Sequence, residues 1–123
     1  MSRSSYLLLV VEEPDRRRNL SEQDGRAALA RMVHFAEGLE RRGVLRATDS
    51  LTSDARGVRI RVRDGKRTVV DGPFTEAKEI VGGFFLLDGI TKEEAVAIAS
   101  ECPAIEWATV EVREIGQCWE GNE

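Results

Sequence analysis

A chain of 123 residues, 41% hydrophobic and 33% charged, is long enough for one domain with a real core and too evenly balanced for a disordered polymer. Its formal net charge of −4 sets it against nucleic acid as the main partner, because phosphate binding needs a concentrated basic surface. Two cysteines, Cys102 and Cys118, outside any CxxC pair, and a single histidine, His34, leave too few soft ligands for a zinc site; the cysteines read as free thiols in a reducing, cytoplasmic setting, with a 102–118 disulfide as the alternative.

In chain order, residues 6–11 (YLLLVV) form an unbroken apolar run, too short for a signal-peptide core or a membrane span, and predict a strand covered on both faces. Residues 12–20 carry Pro14 and the run Arg16-Arg17-Arg18, which reads as a solvated loop rather than a phosphate site, since no aromatic or glycine cradle accompanies it. Ser21 is an N-cap for a helix running to about Arg42 and stopped by Gly43. Ala28, Leu29, Met32, Val33, Phe35, Ala36 and Leu39 share its apolar face, with His34 nearly opposite. Residues 44–51 form a looser strand.

Residues 58–63 (VRIRVR) alternate cleanly, and Asp64-Gly65 predicts a tight hairpin in which Arg63 faces Lys66, Ile60 faces Val69, and Val58 faces Asp71. Period-2 counting puts Asp71 on the apolar side of that hairpin. Arg59, Arg61 and Arg63 on its other side are a weak nucleic-acid signal. Residues 72–79 predict a turn with one helical turn, and Gly82-Gly83 marks a bulge or a close approach before a second doubly apolar strand ending at Asp88. Thr91 with Glu94 is a capping box for a helix burying Ala95, Ile98, Ala99 and Cys102 and ended by Pro103. A last strand spans roughly 107–115.

With the hairpin set aside the order is βαββαβ, the split βαβ pattern. The expectation is one domain over 1–123: an α+β, ferredoxin-like sandwich with an inserted β-hairpin, an antiparallel sheet and two helices on one face. The two doubly apolar strands, 6–11 and 83–88, are those this topology places centrally. Two helices cover one face of such a sheet, so the bare apolar face predicts a homodimer.

The stretch Asp71-Gly72-Pro73-Phe74-Thr75-Glu76-Ala77-Lys78-Glu79, followed by Gly82-Gly83-Phe84-Phe85, resembles the DGPF-type branch of the YCII-related family. The likeness extends to strand 6–11, to Gly43-Val44-Leu45, to the hairpin Val58–Asp71 and to the closing strand. It implies a dimeric ferredoxin-like fold with a cleft between sheet and helices near the subunit interface. It also implies a possible association with extracytoplasmic-function sigma factors, within a wider superfamily of small-molecule isomerases, dehalogenating proteins and monooxygenase-like domains. The His–Asp pair ascribed to the YCII-related branch does not carry over: its helix position falls near Arg31, and His34 lies a turn further on.

Asp71 heads the site candidates, because a carboxylate on an apolar side must find donors or shift its pKa, and either outcome serves proton transfer. The competing reading is a turn in which the Asp71 carboxylate accepts from backbone N–H groups of the Gly-Pro-Phe segment. Asp49, at a strand end, is a partner for an acid/base couple or a solvated aspartate. Gly72 and Pro73 are backbone devices that also count among the ligand-binding candidates, with the isomer before Pro73 open. Phe74 is a core plug or a ligand platform, Phe84 a wall of the expected pocket, and Lys78, with Glu79 beside it, neutralises Asp71, anchors a substrate carboxylate or forms a surface ion pair. No phosphate loop, Rossmann fingerprint or nucleophile–base–orienter set is visible, so no cofactor is expected. Two functions stand side by side: a small-molecule-binding domain extending to cofactor-free acid/base catalysis at Asp71 and Asp49, and a non-catalytic regulatory or interaction module associated with a sigma factor.

Overall fold

The computed structural model describes residues 2–120. Its strands and helices are β1 (Ser4–Glu12), α1 (Asp15–Arg18), α2 (Glu22–Arg41), β2 (Leu45–Ser50), β3 (Val58–Arg63), β4 (Lys66–Asp71), β5 (Ile80–Ile90), α3 (Lys92–Glu101) and β6 (Thr109–Glu114). The four-stranded antiparallel sheet has the order β2-β5-β1-β6, with the two apolar strands at its centre as the ferredoxin-like pattern requires. β3 and β4 pair only with each other and form a separate two-stranded ribbon.

Local chemistry sets the boundaries. The Ser21 hydroxyl accepts from Asp24 N–H at 3.1 Å and opens α2, and Gly43 closes it in the left-handed region at φ 75°. At α3 the Thr91 hydroxyl accepts from Glu94 N–H, and the Glu94 carboxylate accepts from Thr91 N–H, a complete capping box. Asp64 and Gly65 both have positive φ, the mark of a type I′ turn, and the hairpin register places Val58 opposite Asp71 and Ile60 opposite Val69.

The core lies between the sheet and the two long helices. Tyr6, Leu8 and Val10 from β1 meet Phe85 and Leu87 from β5, with Leu39 of α2 and Ala95, Ile98 and Ala99 of α3 above them. Phe35 of α2 stands edge-on to Phe85 with centroids 5.3 Å apart. The intervening residues Leu7, Leu9, Phe84 and Leu86 lie on the opposite face and are half-buried.

The structure corrects four local expectations. The charged segment after β1 holds the short helix α1. β5 extends beyond 83–88 at both ends, because the bulge at Gly82 lets it keep pairing with β1 as far as Glu12. Residues 72–79 contain turns and bends without helix. The closing strand starts at Thr109, after a 3-10 turn over Pro103–Glu106.

Candidate functional site

The Asp71–Glu79 segment is built as a clamp at the base of the hairpin. Gly72 N–H donates to Gly57 O at 2.8 Å, and Phe74 N–H donates to the Asp54 carboxylate at 3.0 Å. Asp54 is buried, so this bond satisfies a carboxylate that would otherwise be costly to enclose. A Cβ on Gly72 would sit 2.8 Å from the Asp54 carbonyl carbon and closer still to its oxygen, so only glycine lets the two backbones meet. The Gly72-Pro73 bond is cis. Phe74 is buried, close to Gly57, with the Arg59 guanidinium 4.1 Å from its ring centroid.

This geometry revises the reading of Asp71. The residue faces Val58 as the register requires, yet every residue of β3 and β4 is exposed, Asp71 included. Alternation reveals which side chains share a side of the ribbon, not whether anything packs on that side. The carboxylate that holds the Gly-Pro-Phe turn is that of Asp54, 20 residues earlier in the chain. Lys78 is exposed and makes no ion pair with Asp71 or any other described residue.

A concave feature lies elsewhere, between α2 and the sheet. A cavity of about 590 Å³ is walled by Ala28, Leu29, Met32, Val33 and Ala36 on the helix and by Val10, Thr48, Gly83 and Phe85 on the strands. Its existence follows from a mismatch. The apolar stripe of α2 is wider than the core beneath it, so Leu39 is buried while Leu29 and Val33 remain 56% and 49% exposed. Volume and lining match an ordinary small-molecule site.

One end of the cavity carries charge. Glu12 continues the inward phase of β1 after Tyr6, Leu8 and Val10, and is 4% exposed. Arg17 grips its carboxylate in a fork, Nε to Oε2 at 3.2 Å and Nη2 to Oε1 at 3.0 Å. The remaining donors of Arg17 reach Gly82 O at 2.9 Å and Leu51 O. Room for this cluster exists because residue 82 has no side chain: a Cβ there would lie 2.8 Å from Glu12 Cδ and from Arg17 Nη2, and would overlap Glu12 Oε1. Arg16, the neighbour of this pair, stacks 5.0 Å from the Trp107 ring centroid. Arg31 stacks on the same ring at 5.6 Å and is paired with Glu106 at 3.0 and 2.5 Å. That pairing holds the Glu106 carboxyl below its ordinary range.

Among the residues expected at the site, Asp49 and Phe84 line the cavity, and Asp71, Gly72, Pro73, Phe74 and Lys78 do not. Asp49 pairs with Phe84, which pairs with Leu9, so the side chains of all three point to the sheet face away from the helices. Asp49 therefore offers the cavity backbone rather than carboxylate, and no hydrogen bond joins it to Asp71. His34 is exposed and outside the cavity. Sequence reasoning missed Glu12, Arg16, Arg17 and Trp107. The signal for Glu12 was present: a carboxylate in phase with three core residues of a strand demands a buried cation, and the nearest cations are in the run set aside as solvated. At Gly82 the bulge and a close approach coincide, and what approaches is the Glu12–Arg17 side-chain pair rather than another backbone or a ligand, while at Gly83 the neighbour is the Asp49 backbone.

A four-stranded antiparallel sheet in the order β2-β5-β1-β6, two long helices on one face and a cavity between them define a ferredoxin-like α+β domain. The YCII-related domain model matches residues 5–118, and the chain belongs to that family. The DGPF-type likeness of residues 71–79 is consistent with this membership. No curated protein matches the chain. Among the described residues no group of three or more His, Cys, Asp or Glu is placed to hold a metal, and no helix is long and apolar enough to cross a membrane.

Proposed function

We propose that this YCII-related domain binds a small organic molecule in the cavity between α2 and the sheet. The observation that carries this reading is the exposed apolar remainder of the α2 stripe, Leu29 and Val33, facing a hollow of about 590 Å³ with a charged end. A helix face that only had to fill the core would not extend apolar residues over open space. A library screened by thermal shift against wild type and Ala28→Phe tests it, because the added ring occupies the hollow from the helix side. Hits should stabilise wild type and leave the variant unmoved. Hits that stabilise both alike would refute the cavity as the site.

Catalysis is an extension of the same proposal. Within one protomer the Glu12 carboxylate is engaged by Arg17, and Asp49 and Asp71 lie on the far sheet face and on the exposed ribbon. An acid/base role for the two aspartates requires a ligand that reaches that face, as at a subunit interface. The half-buried Leu7, Leu9, Phe84 and Leu86 support a homodimer through this side of the sheet. Light scattering should give a dimer mass that falls to the monomer value in Leu9→Glu. A monomeric wild type at high concentration would overturn it.

A second reading rests on the ribbon. Val58, Ile60, Val62 and Val69 are 54–66% exposed on one side of β3–β4, an apolar strip suited to another protein. An interaction module, with a sigma factor as the partner the family likeness suggests, would lose its partner in Ile60→Asp while keeping cavity ligands. Unchanged partner binding in that variant would refute it.

A further inference from the structure

We infer that the cavity ligand is a monoanion with an apolar body, and that Arg16 is the residue that receives its charged group. The inference rests on the cavity reading above and deepens it. Three arginines gather at the charged end, and their partners differ. Arg17 spends its donors on Glu12, Gly82 O and Leu51 O. Arg31 is matched by a two-pronged contact with Glu106. The Arg16 guanidinium makes no hydrogen bond among the described residues, and its ion-pair contact with Glu12 Oε2 is long, 4.0 Å, to an oxygen that already accepts from Arg17. Its side chain is nonetheless only 22% exposed, pinned over Trp107.

A mostly enclosed guanidinium with no hydrogen bond among the described residues is poised for an anion. The charge count agrees. Of the ionisable residues lining the cavity, Glu12 and Arg17 cancel and the Asp49 side chain lies on the opposite sheet face, which leaves one positive charge. Arg16 and Trp107 also border a second hollow, where Glu12 and Glu106 are paired with arginines and Glu13 and Glu79 add negative charge that disfavours an anion on that side. The remaining walls, Leu29, Met32, Val33 and Phe85, take the apolar body. Trp107, whose ring lies beneath the guanidinium groups of both Arg16 and Arg31, is a positioning residue that sets the direction of the Arg16 fork.

The test is a matched set of probes, 4-phenylbutyrate, 4-phenylbutan-1-ol and 4-phenylbutylamine, titrated into wild type, Arg16→Gln and Arg16→Lys. Binding is followed by two-dimensional amide and indole NMR. A charge-assisted contact at a partly exposed site should favour the acid over the alcohol by about tenfold in wild type. In Arg16→Gln the acid should fall to the affinity of the alcohol, while the alcohol binds as before. Arg16→Lys should restore part of the preference, and the amine should bind weakest throughout. Acid and alcohol binding equally in wild type, or a preference that survives in Arg16→Gln, would overturn the anion assignment and leave the cavity reading standing. No cavity resonance moving with any probe would overturn both. Unchanged amide spectra of the unliganded variants would show that the fold is intact.

Discussion

Gly82→Ala tests the buried charge cluster directly. The added methyl must displace the Glu12 carboxylate, because it would overlap Oε1 and lie 2.8 Å from both Glu12 Cδ and Arg17 Nη2. Glu12 is 4% exposed and accepts two hydrogen bonds from Arg17, so moving it breaks the fork and pulls Arg17 away from Gly82 O. Separating a buried pair costs about 3–5 kcal/mol when a charge is left without a partner. Arg17 is 29% exposed and can rehydrate, which lowers the expectation to about 2–4 kcal/mol. For a chain of 123 residues that is a drop of roughly 8–15 °C in Tm. Gly83→Ala is the control: its Cβ would meet Asp49 O at 3.1 Å, a contact that small shifts relieve. Urea denaturation of both variants, and of Gly82→Ala in a Glu12→Ala background, gives the coupling. The penalty at 82 should shrink sharply once the carboxylate is gone. A penalty under about 0.5 kcal/mol, or one indifferent to Glu12, would refute the steric argument.

The clamp at the hairpin base predicts that Asp54→Ala costs about 1–3 kcal/mol in urea denaturation by leaving Phe74 N–H without its acceptor, while the exposed Asp71→Asn stays within about 0.5 kcal/mol. Cys102 is fully buried, and burial raises its thiol pKa, so a thiol reagent should label Cys118 quickly and Cys102 only on unfolding. The Glu94 carboxyl is held below its ordinary value of 4.5, first by the backbone N–H of Thr91. A depressed folded pKa contributes stability that is complete above the unfolded value and lost as pH falls through the folded one. The stability gap between wild type and Glu94→Gln should therefore close on acidification, as denaturant midpoints across that range would show; a gap that widens in acid would contradict the assignment.

Periodicity made the scaffold readable. The unbroken apolar runs at β1 and β5 coincide with the two strands that the split βαβ order places at the centre of the sheet. Ser21, Gly43, Thr91 with Glu94, and Asp64-Gly65 set helix ends and hairpin register through bonds between residues two to four apart, which the sequence displays directly. The Asp71–Glu79 motif was equally conspicuous, but the contact that holds its turn was not legible, because Asp54 lies 20 residues earlier in the chain and meets Phe74 only through space.

What the sequence determined alone, then, is everything that depends on neighbours along the chain: element order, caps, the turn of the ribbon and the faces of each helix. Tertiary structure decided which of those faces is covered. It left the ribbon that carries Asp71 in solvent, turned the Asp49 side chain away from the helices, and brought Glu12, Arg17 and Gly82 together from three elements. Charge pairing and enclosure depend on distance in space, and no period in a sequence measures that.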